Sequence, residues 1–236
     1  MKDDYKPLIK LSLVLLLFYT SSLFSIIPIY LFNIDINNCN TTLYNILRIL
    51  PNIGQALVLF FMYKKEIAND FKDFRKNFGQ YSDIAIKYWI IGFIIMFITN
   101  MIIANITPSK IATNEEGVRE IIKAIPLVSV VILGFVAPFS EEIIFRKSFK
   151  DAIKTKWVFI LTSGFVFGLL HVITSFDYLY DLLYVIPYSS LGIAFALIYY
   201  KTNNVFSSIF VHALHNTILV ILNIFLIGVI LWLMMI

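Results

Sequence analysis

Glu141 and Glu142 stand side by side in an apolar stretch that runs from Ile125 to Phe149, and Arg146 follows one helical turn later. An ionisable side chain in a membrane segment costs about 2.5–3.5 kcal/mol on insertion scales, so such groups are rare there unless paired or given a task. The chain's three histidines, His171, His212 and His215, also lie in apolar stretches. On a helix Glu142 and Arg146 share a face and form an ion pair. Glu141 is turned about 100° away and faces elsewhere, toward a cavity. Pro138, just upstream, removes a backbone donor and bends the helix toward that cavity. Phe167 precedes His171 by one turn on the same face. His212 and Asn216 are four apart, so an imidazole and an amide project together and can give two hydrogen bonds to one oxygen, as an oxyanion hole requires. His215 lies three residues from His212, about 60° around the helix, and the spacing leaves it within reach of the same site. Each motif also has a plainer use: a charge pair snorkelling at a span end, a packing histidine, or His and Asn bonding between helices.

The elements that must position these groups are membrane helices. The chain is 59% hydrophobic and 14% charged, with a mean hydropathy of +0.83, against roughly 45–50% and 25% for soluble domains. Stretches near 8–32, 43–63, 84–105, 124–147, 157–175, 183–200 and 204–222 are long enough to span a bilayer, and the apolar tail 223–236 is a candidate eighth. The expectation is one all-α transmembrane domain over 1–236, a bundle of seven to eight spans around an intramembrane polar cavity. Residues 1–120 hold few polar groups within spans and read as scaffold, whereas 121–223 hold nearly all of them. The first apolar run is about 25 residues long without a small-x-small cleavage site, so it reads as a retained helix.

Charge sets the orientation. With the N-terminus in the cytoplasm, fifteen basic residues fall on the inner side and three (Lys110, Arg119, Lys123) on the outer, with Arg48 inside the second span. That asymmetry predicts a multi-pass cell-membrane protein with a cytoplasmic N-terminus, and it accounts for the net charge of +4 without nucleic acid. The inner count takes in Lys2 and the stretch Arg146–Lys156. The polar stretch 64–83, with Ile67, Phe71, Phe74 and Phe78 at intervals of four, three and four, predicts an amphipathic helix on the inner membrane face. The single cysteine, Cys39, forms no intrachain disulfide.

Glu141-Glu142-x-x-x-Arg146, Phe167-x-x-x-His171 and His212-x-x-x-Asn216, in that order, resemble the three motifs of the CAAX-protease and bacteriocin-processing (CPBP, or Abi) family, whose eukaryotic branch is of the Ras-converting enzyme type. The resemblance covers about 137–217. It implies an intramembrane endopeptidase in which Glu141 and His171 activate water and His212 with Asn216 stabilises the oxyanion. Arg146 would orient the pair of glutamates, and His215 is not a motif position. The implied partners are the lipid bilayer and a peptide or protein tail at the membrane. Zinc is the alternative to a metal-free site, held if present by Glu141, His171 and His212; no HExxH helix is present, asparagine is a poor zinc ligand, and the metal-free reading is preferred. Two non-hydrolytic classes stand beside it: a membrane scaffold or bacteriocin-immunity protein, and a proton-coupled carrier, which the lack of an internal repeat disfavours. One geometric condition must be met. Glu141 lies roughly 9 Å above an inner helix end near 147, and His171 roughly 22 Å above one near 156. A shared water demands a tilted helix or one starting near Lys150.

Overall fold

The computed structural model describes residues 5–108, 111–173 and 178–233, and these form helices with no strand. In order they are α1 (Lys6–Thr20), α2 (Leu23–Leu31), α3 (Thr41–Lys76), α4 (Phe78–Ile106), α5 (Thr113–Ala124), α6 (Pro126–Ala152), α7 (Lys156–Ile173), α8 (Leu179–Thr202, its first turns 3-10) and α9 (Val205–Leu233). Six are long and apolar enough to cross a membrane, and α1 with α2, bent by 46°, makes a seventh when taken as one broken span. The protein is a multi-pass all-α bundle. α9 runs unbroken through the expected seventh span into the tail, so no separate eighth helix occurs among the described residues. Lys2 and Lys110 of the charge count, and residues 234–236, lie outside them.

On the inner side the stretch after 63 is helical, set off from the rest of α3 by a kink at Tyr63 (φ −118°, ψ 15°) and ending at Lys76, before α4 begins at Phe78. Its apolar stripe divides: Ile67 and Phe74 are buried, while Phe71 and Phe78 stay about half exposed. α9 packs its Phe206 and Phe210 rings against this stripe, 6.2 and 6.1 Å from Phe74, 5.2 Å from Phe71 and 5.7 Å from Phe78. Arg146, counted among the inner-loop charges, is fully buried within the bundle.

The start of α9 is fixed by α3. α8 ends on Asn203 in the left-handed region (φ 49°), a conformation asparagine tolerates better than most residues. Asn204 then caps α9 by accepting from Phe206 N at 3.0 Å. Its amide donates to Asp70 O at 2.7 Å and Asp73 Oδ2 at 3.0 Å, and Asp70 Oδ2 accepts from Val205 N at 3.3 Å. The orphan donors of the helix end are thereby satisfied, and the register of α9, with its two histidines, is tied to α3.

α7 and α8 meet through small residues, the usual route to close helix approach in lipid. A Cβ on Gly164 would lie 2.7 Å from Ile193 N, one on Gly168 would lie 2.6 Å from Ser189 N, and one on Gly192 would lie 2.6 Å from Gly164 O. The depth condition is partly eased because α6 continues to Ala152, five residues past the assumed end, which raises Glu141 to about 16 Å above the inner end against about 22 Å for His171. The side chains do meet, as described below, although α7 begins at Lys156 and not near Lys150.

Gly168→Val should force α7 from α8 and lower stability by about 1–3 kcal/mol, the usual penalty of overpacking. Gly79→Ala, with nothing within 4 Å of its new methyl, should leave stability unchanged or slightly raised. Thermal unfolding in detergent reads both.

Candidate active site

Glu142 and Arg146 lie on α6, both at 0% exposure. Arg146 Nε donates to Glu142 Oε2 at 2.9 Å and Nη2 donates to Oε1 at 3.3 Å. Nη1 reaches Ser163 Oγ on α7 at 2.8 Å, and that hydroxyl donates to Phe145 O at 2.6 Å. The guanidinium also lies over the Phe167 ring, 4.9 Å from its centre. A bidentate pair with its remaining donors occupied is the form in which a buried ion pair is tolerable. The ion pair expected from spacing is present.

Glu142 has a second duty. Its Oε1 lies 2.9 Å from His212 Nδ1. Glu142 is bound to an arginine, so it is the acceptor there and Nδ1 carries the proton. The His212 ring stacks on Phe195 (centroids 4.6 Å apart, 22°) and meets Phe167 edge-on. On α7, His171 Nδ1 lies 2.8 Å from Phe167 O, a carbonyl that can only accept, so Nδ1 is again protonated. In each neutral ring the lone pair therefore sits on Nε2.

Both Nε2 atoms approach Glu141: His171 at 3.7 Å and His212 at 3.6 Å from Oε2. That oxygen is buried and makes no hydrogen bond among the described residues. Glu141 and His171 keep about a fifth of their side-chain surface exposed, while His212 keeps 5%. Glu141, His171 and His212 thus converge from three helices on one small, partly open space. Such a set suits a water held between a carboxylate and imidazole nitrogens. Among the described residues no group of three His, Cys, Asp or Glu side chains has the arrangement of a metal site.

Asn216 and His215 are placed differently from one another. α6 takes a π turn at Ile132–Val136, in which Ala137 N bonds Ile132 O instead of Leu133 O. Pro138 has no N–H to offer, so the helix leaves the Leu133 carbonyl without a donor. Asn216 Nδ2 supplies one at 3.0 Å. A second π turn, Ile143–Ser148, follows the two glutamates; such turns are frequent at functional sites. His215 faces α4, accepting from Trp89 Nε1 at 3.4 Å, and its ring lies edge-on to Trp89 and Phe93. Its Nδ1 is therefore the unprotonated nitrogen, and no contact joins it to Glu141.

Sequence reading passed over Ser163, Phe195, Trp89 and Tyr188, whose ring stacks on His171 (5.0 Å, 27°). Ser163 had a signal, since Ser163, Phe167 and His171 recur every fourth residue on one face. The other three are aromatic residues in apolar helices and carry none.

The fold and this geometry define a class: a multi-pass helical membrane protein with a Glu/His site buried between its spans. Residues 123–218 match the family model "Type II CAAX prenyl endopeptidase Rce1-like". Among curated proteins, the chain is 30% identical over 148 residues to "Putative membrane peptidase YdiL" of Bacillus subtilis, covering 59% of this chain and 57% of that one. It is 29% identical to an uncharacterized protein of Mycoplasma capricolum, over 81% of this chain and 59% of that one. It is 28% identical to "UPF0177 protein YxdF" of Lactococcus lactis, over 60% of this chain and 79% of that one. The matches span a little under three fifths of the first two relatives. No solved structure matches the chain. The segment that builds the site is thus similar to the Rce1-like family, in line with the motif resemblance.

Two measurements check the geometry. Long-range 1H–15N correlation on histidine-labelled protein at alkaline pH should show His171 and His212 protonated at Nδ1 and His215 at Nε2; one shared tautomer for all three would contradict these contacts. Asn216→Ala should cost about 1–3 kcal/mol by orphaning Leu133 O. In a Pro138→Ala background, where residue 138 regains an N–H, the same change should cost measurably less in unfolding experiments.

Proposed function

We propose that the protein is an intramembrane endopeptidase that hydrolyses a peptide bond in a membrane-associated peptide or protein tail. One observation carries the reading: a buried, unbonded carboxylate oxygen on Glu141 faces two imidazoles whose outer nitrogens are already committed. The match to a family of membrane proteases supports it at the level of class.

The chemistry follows from the geometry. A water between Glu141 Oε2 and His171 Nε2 finds two acceptors, which orient its hydrogens and leave an oxygen lone pair for the substrate carbonyl. As the new C–O bond forms, a water proton passes to Glu141, and the carbonyl oxygen takes the electron pair of its π bond. Collapse of the tetrahedral species breaks the C–N bond, and the proton on Glu141 moves to the departing nitrogen. His212 stabilises the oxyanion only with a proton on Nε2 as well as on Nδ1. Glu142, 2.9 Å from Nδ1, accepts its proton in a hydrogen bond and fixes the ring. Asn216 has a second N–H; the one on Leu133 O fixes the amide plane, and the other is assigned to the oxyanion. No metal-dependent step is invoked. Orientation follows the basic residues, with the N-terminus cytoplasmic in the cell membrane, and removing buried Arg146 from the count leaves the asymmetry strong.

The test is a comparison of protein and peptide termini in host cells carrying wild type, Glu141→Gln or His171→Ala at equal abundance. A set of fragments present in wild type and lost at least a hundredfold in both variants is expected. Fragments that persist in Glu141→Gln would overturn the reading, and a phenotype that survives both substitutions would point to a scaffold.

A further inference from the structure

His171 must keep its Nε2 on Glu141, yet its bond to Phe167 O comes from its own helix and moves with it. The Phe167 ring, 4.3 Å away and inclined 41°, belongs to that helix too. A stacking contact from a second helix is made by α8: Tyr188 lies on the imidazole with centroids 5.0 Å apart and planes at 27°. The glycine seam of Gly164, Gly168 and Gly192 holds α7 and α8 close enough for that stack. The tyrosine is itself tethered, because Asn114 Nδ2 on α5 donates to its hydroxyl at 3.4 Å. α5 in turn is joined to α3 by Arg48 and Glu120, 3.1 Å apart.

We propose that Tyr188 is a positioning residue for His171, stacking its own ring on the imidazole, and that Asn114 sets the tilt of the tyrosine from α5. A flip about the His171 Cβ–Cγ bond would carry Nε2 away from Glu141 and sacrifice the bond to Phe167 O; a ring stacked on the imidazole blocks the swing. A tethered hydroxyl adds direction to a stack that phenylalanine alone would supply without it. The placement makes the outer helix α5, and not only the catalytic helices, a determinant of imidazole orientation. The inference rests on the proposed hydrolysis for one readout only.

The experiment is histidine tautomer NMR on labelled full-length protein in lipid nanodiscs, for wild type, Tyr188→Phe, Tyr188→Leu, Tyr188→Met and Asn114→Ala. Wild type should show His171 as a single, sharp Nδ1–H tautomer, and Tyr188→Phe, which keeps the ring but loses the tether, should show the same tautomer with the broadening expected of Asn114→Ala. Tyr188→Leu and Tyr188→Met should show it averaged between tautomers, with the His215 signal on Trp89 unchanged as proof of fold. Two aliphatic variants are included so that one failing to fold does not decide the matter. Asn114→Ala should broaden the His171 signal without moving His215. Superposable His171 spectra in wild type and either folded aliphatic variant would overturn the proposal. Fragment yield in host cells should fall about tenfold in Tyr188→Leu, in keeping with the cost of a misplaced catalytic group. Were wild type to release no fragments, the hydrolytic reading would fail while the tautomer result still judged Tyr188.

Discussion

The buried Glu142–Arg146 pair is the interaction on which the site depends. Removing one partner of such a pair is far more costly than never having built it, because the survivor is a bare charge in a low dielectric. Here the partners are saturated from several directions. Arg146 is bound by Glu142 and Ser163 and lies over Phe167; Glu142 is bound by Arg146 and His212. α6, α7 and α9 therefore share one electrostatic centre. The pair locks His212 by its Nδ1 and, through Phe167, abuts the ring beside His171. Its contribution is less to net stability than to a single arrangement of three helices.

A second constraint comes from proline in lipid. A carbonyl deprived of its helical donor has no water to turn to, so a neighbouring helix must supply a hydrogen. The bundle meets this twice. Pro51 in α3 leaves the Leu47 carbonyl, four residues back, without its N–H, and Ser25 Oγ of α2 donates to it at 2.6 Å. Pro138, with the π turn before it, leaves Leu133 O to Asn216. In the first case the repair joins scaffold helices. In the second the repairing residue is Asn216, one turn beyond His212 on α9, whose amide braces α6 and is held in a fixed plane.

How much of this was legible in the sequence depended on whether a residue's partner lay on its own helix. Glu142 with Arg146, and Phe167 with His171, are four apart, and helical spacing alone placed them together. The spans were legible too, because a membrane crossing is a matter of length and polarity. Contacts between helices were not. Nothing in the pattern puts Tyr188 on His171 or Trp89 on His215, because packing between helices is set by where small residues allow close approach. The glycines at 164, 168 and 192 hinted at a seam but not at its register. The inner stretch 64–83 shows the same limit: its stripe suits a membrane surface as well as it suits α9, and Phe206 and Phe210 pack against part of it.

The two adjacent glutamates show how one helix sets two carboxylates to unlike tasks. Successive side chains diverge by about 100°, so a partner that satisfies one cannot easily satisfy the other. Glu142 receives three charged or polar contacts and no exposure; Glu141 has a buried oxygen with none and a flank open to the site. A polar atom left unbonded in such surroundings is unfavourable by about 1–3 kcal/mol or more for a charged group. Glu141 Oε2 instead has two imidazole nitrogens within 3.7 Å of it, from α7 and α9, and under the proposed hydrolysis that is the place where a water is held.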